Sequence, residues 1–106
     1  MSSDPIEDVI TTIKRIPGLR EAHLTASFLN KAGDVYERYG AAAAGRYLAI
    51  QEGRERREAA LLQRVLPALS GCPQIRANPA IGRLIIKSLN RLFEGGEHAT
   101  AKPSGA

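Results

Sequence analysis

The side chains of this chain that are best spaced to do chemistry are arginines. In "GRYLAIQEGRERREAALLQRVL", residues 45–66, the central "QEGRERRE" carries no apolar side chain. Arg46, Arg57 and Arg64 are spaced 11 and 7 residues apart. On a continuous helix those spacings bring the three within about 20° of one another, as one basic edge roughly 27 Å long. Guanidinium groups in such a row suit phosphate oxygens, which they bind by charge and by their fixed fork of donors. Against this, Glu52 with Arg56 and Arg54 with Glu58 are i, i+4 pairs of opposite sign. Such pairs stabilise a solvated helix face by only ~0.3–0.5 kcal/mol each. Taken alone, residues 51–58 therefore read as solvated helix.

The end of the chain tips the balance toward binding. Residues 1–58 hold nine acids against nine bases, whereas residues 59–93 contain no acid and five bases: Arg64, Arg76, Arg83, Lys87 and Arg91. Arg83, Lys87 and Arg91 fall at i, i+4, i+8, opposite an apolar stripe and with Asn90 beside them. A face serving only solubility usually mixes signs. The formal net charge of +4 and a pI near 9.6 agree with an anionic partner without requiring one. Aromatic rings are interleaved with the cations in "YERYGAAAAGRY". Exposed rings there would stack unpaired bases for ~1–3 kcal/mol per base. Tyr36 and Tyr39 are expected to pack into the interior, which leaves Tyr47 as the candidate stacking ring.

Catalytic chemistry has no such foothold. His23 falls on a predicted helix, where it reads as a half-buried residue, and His98 lies near the chain end; neither pairs by spacing with Cys72 or with two carboxylates. One Cys and two distant His do not make a metal-ligand set. The glycines lack the strand-loop-helix context of a phosphate loop. The expectation is a non-enzyme without cofactor or metal. "FLNKAGDVYERYG" is a poor helix-turn-helix, because its second helix would offer Val35, Tyr36, Tyr39 and then alanines to the major groove.

The elements that must position these residues are all helical. Asp4 as N-cap, Pro5 at the first position and Ile6, Val9, Ile10 and Ile13 on one face predict a first helix, stopped by Pro17-Gly18. Leu24, Phe28 and Ala32 predict a second, ending at Gly33. A third starts after Asp34 and runs to about Ile50 unless Gly40 interrupts it. The apolar pattern resumes at Leu61, Leu62, Val65, Leu66 and Leu69, and Pro67 should kink or end that piece. The spacing leaves open whether residues 35–66 are one helix or two. "SGCPQIRANP" reads as the longest connector. Asn78-Pro79 then starts a last helix whose stripe is Ile81, Leu84, Ile85, Ser88, Leu89 and Leu92. The expected fold is an all-α single domain, a bundle of about five helices over residues 1–93 with a flexible tail over 94–106. No segment has the pattern of a secretion signal or the ~20 apolar residues of a membrane span, so the chain reads as cytoplasmic.

From "MSSDPIEDVITTIKRIPGLR" through the acid-free "LLQRVLPALSGCPQIRANPAIGRLIIKSLNRLF", the chain resembles the small phage and mobile-element proteins called anti-CRISPRs, more narrowly those directed against type I-E systems. The resemblance lies in length, helical character and charge, and carries over no functional residue. It implies a blocker that occupies a Cas protein surface or competes at the nucleic acid. The charge pattern favours single-stranded DNA, such as the displaced strand of an R-loop, contacted through Arg46, Arg57, Arg64, Arg76, Arg83, Lys87 and Arg91. Two other readings stay open. One is a protein-binding module using the small residues 40–45 or the Leu-rich face 61–69; the other is a regulatory or packaging protein for duplex DNA. The oligomeric state is left open by the sequence.

Overall fold

Helix formation begins at the cap that the sequence marks. Asp4, extended, accepts the N–H of Ile6 at 2.9 Å, and Pro5 opens α1 (Pro5–Lys14). The computed structural model describes residues 4–93. Along the chain follow α2 (Leu19–Ala22), α3 (Ala26–Tyr39), α4 (Ala41–Ala49), α5 (Glu55–Ser70), α6 (Pro73–Ala77) and α7 (Pro79–Lys87). After a turn at Ser88, residues 89–93 are again helical. Five helices have nine residues or more, and no strand occurs among the described residues. The tail expected over 94–106 lies outside them.

Phe28, Leu29, Ile13, Leu62, Leu69, Ile75, Ile86 and Leu89 are the largest wholly buried side chains, drawn from nearly every element. The axis of the fold is the α3–α7 pair. Gly33 lies opposite Arg83 and Lys87, and Tyr36 opposite Gly82, so the two helices run antiparallel. The same direction continues where Asn90 clamps Leu24: its Oδ1 accepts the Leu24 N–H at 2.9 Å and its Nδ2 donates to the Leu24 carbonyl at 2.7 Å. Asn90→Ala leaves both partly buried backbone groups unpaired, and is expected to cost ~1–3 kcal/mol, read as a lower urea midpoint.

Several boundaries differ from those expected, each for a packing reason. The predicted second helix breaks at residues 23–25, where His23 takes a left-handed φ of 49°, exposed and outside any helix. It does not end at Gly33. That glycine is buried inside α3 because a Cβ there would stand 3.3 Å from Arg83 Cγ, and this close approach outweighs the ~1 kcal/mol that a helical glycine costs. The chain reverses instead at Gly40, with φ 95°. Residues 35–66 are not one helix: the linker 50–54, with Gly53 at φ 63°, separates α4 from α5. Pro67 does not end α5, which continues to Ser70. The hydrogen bond that it omits is to Gln63, and both residues are exposed, so water can serve that carbonyl. The long connector contains α6, anchored by Ile75. On α7 the predicted stripe is rotated: Leu84 is 59% exposed while Ile86 is 1% exposed, because Gly82 faces inward to receive the Tyr36 ring.

Tyr36 also sets an alkaline limit. Burial, and then the negative charge that Cys72 can carry, raise its phenol above the usual 10.0. The folded state thus retains a proton that the unfolded chain loses first. The stabilisation is complete below about pH 10 and falls as pH rises through the folded value. The thermal midpoint is expected to drop above about pH 10, and to drop less steeply in Tyr36→Phe.

Candidate nucleic-acid interface

The basic row on the last helix is only partly available. Arg83 is half-buried against α3, with Nη1 donating to Glu37 Oε1 at 2.9 Å and Nε 3.7 Å from Asp34 Oδ1. The acid-free segment is therefore neutralised at this position from another helix, and Arg83 fastens α7 to α3. Lys87 and Arg91 stay exposed. Arg76 is exposed too, but its Nη1 donates to the Ser70 carbonyl at 3.1 Å and satisfies one of the last acceptors of α5.

The aromatic assignment also changes. Tyr36 is buried as expected, whereas Tyr39, expected inside, is 69% exposed at the end of α3. Tyr47 packs its ring on Phe28, centroids 6.4 Å apart and planes 26° from parallel, so one of its faces is already used. Burial, and then Glu55, raise the Tyr47 phenol above its usual value. Tyr39 is the exposed aromatic ring of α3.

A groove forms where residues 17–25 lie along α5. Near one end, the Gly18 backbone passes Leu61, whose Cδ2 would stand 3.9 Å from a Cβ at Gly18. Farther along, Glu58 Oε2 accepts the N–H of Thr25 at 2.8 Å and its hydroxyl at 2.9 Å. Glu58 thus serves as a latch, and Arg54 lies before the helix begins, so the expected Arg54–Glu58 helix pair does not form; neither does Glu52–Arg56, since Glu52 also precedes α5. A cavity of ≈ 450 Å³ lies between Pro17, Gly18, Glu21 and Ala22 on one side and Arg57, Ala60, Leu61 and Arg64 on the other. A second, of ≈ 390 Å³, shares Ala22, Arg57 and Glu58 with it and extends the groove past His23 and Arg54. Arg54, Arg57 and Arg64 make no ion pair with the described residues.

Of the predicted Arg46/Arg57/Arg64 edge, the structure keeps the α5 part. Arg57 and Arg64 share the outer face of one helix, ~10 Å apart along its axis. Arg46 sits exposed on α4, next to Gly45, whose carbonyl accepts Gln63 Nε2 at 3.2 Å. It therefore belongs to a different helix from Arg57 and Arg64, with α4 packed on α5 at Gly45 and Gln63. The α7 cations are not continuous with these. Residues 18–25 are held to α5 on one flank and, on the other, to residues 90–93 by Asn90 and by Arg20 over the Phe93 ring at 5.6 Å.

The sequence spacing of 7 marks Arg57 and Arg64, but it did not mark Arg54, Ala60 or Leu61, whose roles arise only when residues 17–25 supply the opposite wall. Among the described residues no three His, Cys, Asp or Glu side chains cluster as a metal site, and no helix is long and apolar enough to cross a membrane. Of the surfaces considered for a protein partner, Ala44, Leu62, Val65, Leu66 and Leu69 are buried and Gly45 faces Leu66, while Ala42 stays exposed and Leu61 half-buried. No family model matches the chain, and no match is found among curated proteins or solved structures.

Proposed function

We propose that this is a non-enzymatic binding protein of the cytoplasm whose groove between residues 17–25 and α5 holds single-stranded nucleic acid, DNA above all, with little sequence preference. The observation that carries the reading is the row Arg54, Arg57, Arg64 along one groove, free of ion pairs with the described residues. The row spans roughly 15 Å, long enough to meet the phosphates of a few nucleotides. A concave groove follows one flexible backbone more closely than it follows the convex cylinder of a duplex. Five longer helices packed as a small bundle supply the rigid support, and no cofactor is required.

The resemblance to anti-CRISPRs of the type I-E class gives this activity a setting: a basic groove that holds the displaced strand or competes for target DNA would stop interference without chemistry. Expression of the chain is then expected to restore plaque formation by a phage targeted by a type I-E system. In solution, fluorescence anisotropy with mixed-sequence oligonucleotides should show the single strand bound more tightly than the duplex. Three phosphate contacts predict a log–log salt slope near −2, at ~0.7 per contact. Duplex binding as tight as single-strand binding would instead favour a packaging role.

One observation favours a second reading. Leu84 is exposed on α7 one turn from the exposed Lys87, and the exposed Arg91 follows beyond the turn at Ser88. An apolar side chain among cations suits an acidic protein surface, such as that of a Cas subunit, better than a sugar–phosphate backbone. That reading predicts capture of the effector complex in the absence of DNA, lost in Leu84→Glu.

A further inference from the structure

We infer that the ≈ 450 Å³ cavity takes one unpaired nucleobase while the adjoining phosphates lie on Arg57 and Arg64. The inference rests on the single-strand reading above and adds how the protein would tell a single strand from a duplex.

Phosphate contacts alone make a binder indifferent to pairing, because both forms of nucleic acid display phosphates. A protein that prefers the single strand needs a place for the faces that pairing hides. The cavity has the composition for it. Pro17, Gly18 and Ala22 on one side and Ala60 and Leu61 on the other make facing apolar walls, while the arginines stand on the α5 side only. Its volume falls in the ~300–1,000 Å³ range of small-ligand pockets, enough for a flat heterocycle with part of its sugar. The charges also fix an orientation. Glu21 lies on the wall opposite the arginines and repels phosphate, so the backbone is drawn to the α5 side and the base turns inward. Gly18 makes the turn with its φ of 84° and closes one end of the cavity, since a Cβ there would stand only 3.9 Å from Leu61 Cδ2. Glu58 also lines the cavity on the α5 side: its Oε2 is tied to Thr25 and holds that end of the wall, while its Oε1 is buried without a hydrogen-bond partner, an acceptor suited to a base N–H and not to phosphate.

The test compares a fluorescein-labelled single-stranded octamer of mixed sequence with the same sugar–phosphate chain lacking bases. Both are titrated with the full protein and with two variants, Ala60→Trp and the double reversal Arg57→Glu/Arg64→Glu. Ala60 is exposed at the cavity rim, so Trp should fill the cavity without entering the core or removing charge; a thermal melt checks its fold. The inference predicts that the wild type binds the octamer about tenfold or more tighter than the abasic chain, the scale of one stacked base. Ala60→Trp should erase that difference, while the double reversal weakens both. Equal affinity of the wild type for both chains, with the reversal still weakening both, would overturn base insertion and leave the strand reading standing. A double reversal that binds both chains like the wild type would overturn the strand reading and the inference with it. The wild-type comparison needs no variant, so the outcome holds even where a substitution disturbs the fold.

Discussion

Reversing Arg57 and Arg64 together to Glu is expected to weaken single-strand binding by roughly ten- to a hundredfold at about 0.15 M salt, and to flatten the log–log salt slope by about 1.4, the share of two phosphate contacts. Both side chains are exposed and make no ion pair with the described residues, so the fold should be unaffected. Arg83→Glu is the informative contrast. It sets a third carboxylate beside Glu37 and Asp34 in a half-buried contact, and so should lower the melting temperature and change binding only through unfolding. Lys87→Glu with Arg91→Glu separates the two functional readings: it spares strand binding if the groove is the site, and abolishes partner capture if the outer face of α7 is.

Gly82→Ala should be the most damaging single-methyl change in the fold. A Cβ at that position would lie 2.9 Å from Cζ and Oη of Tyr36, whose ring is buried between α3 and α7. Overpacking of this kind costs ~1–3 kcal/mol or more, against at most ~1 kcal/mol gained from better helix propensity. With ~4–8 °C per kcal/mol for a domain of this size, the melting temperature should fall by about 10 °C. In a Tyr36→Leu background the same substitution should cost little, since the atoms that it strikes are gone. A full cost retained in that background would show that the helix contact is not what Gly82 serves.

The helical class was legible because it is a local property. The Asp4-Pro5 start and the stripe through Val9 and Ile13 appear in the structure as read, and Asn78-Pro79 does open α7. What failed were judgements that depend on a distant neighbour. Gly33 carries the same local signal whether it ends a helix or admits another, and only α7 decides between them. Arg83 looks unopposed along its own segment because Asp34 and Glu37 arrive from more than forty residues away in sequence. His23 sits in an apolar pattern of helical period, yet the Asn90 clamp on Leu24 holds that stretch as a loop. The candidate site was half visible for the same reason: two arginines seven apart are a local fact, whereas a groove needs a second wall. Leu61 continues the apolar pattern of α5 and packs against the core, yet it also lines that wall.

The central claim is that residues 17–25 and 54–64 together form the surface that meets nucleic acid. The most direct measurement is an NMR titration of the ¹⁵N-labelled full chain with an unlabelled single-stranded octamer at low salt, following the backbone amide of every residue. Shifts that saturate together and map to Gly18–Ala22 and Arg54–Arg64, with the α7 amides little changed, are the predicted result. Shifts confined to α7 and the residues after it, around Leu84, Lys87 and Arg91, or no saturable shifts at all, would contradict it.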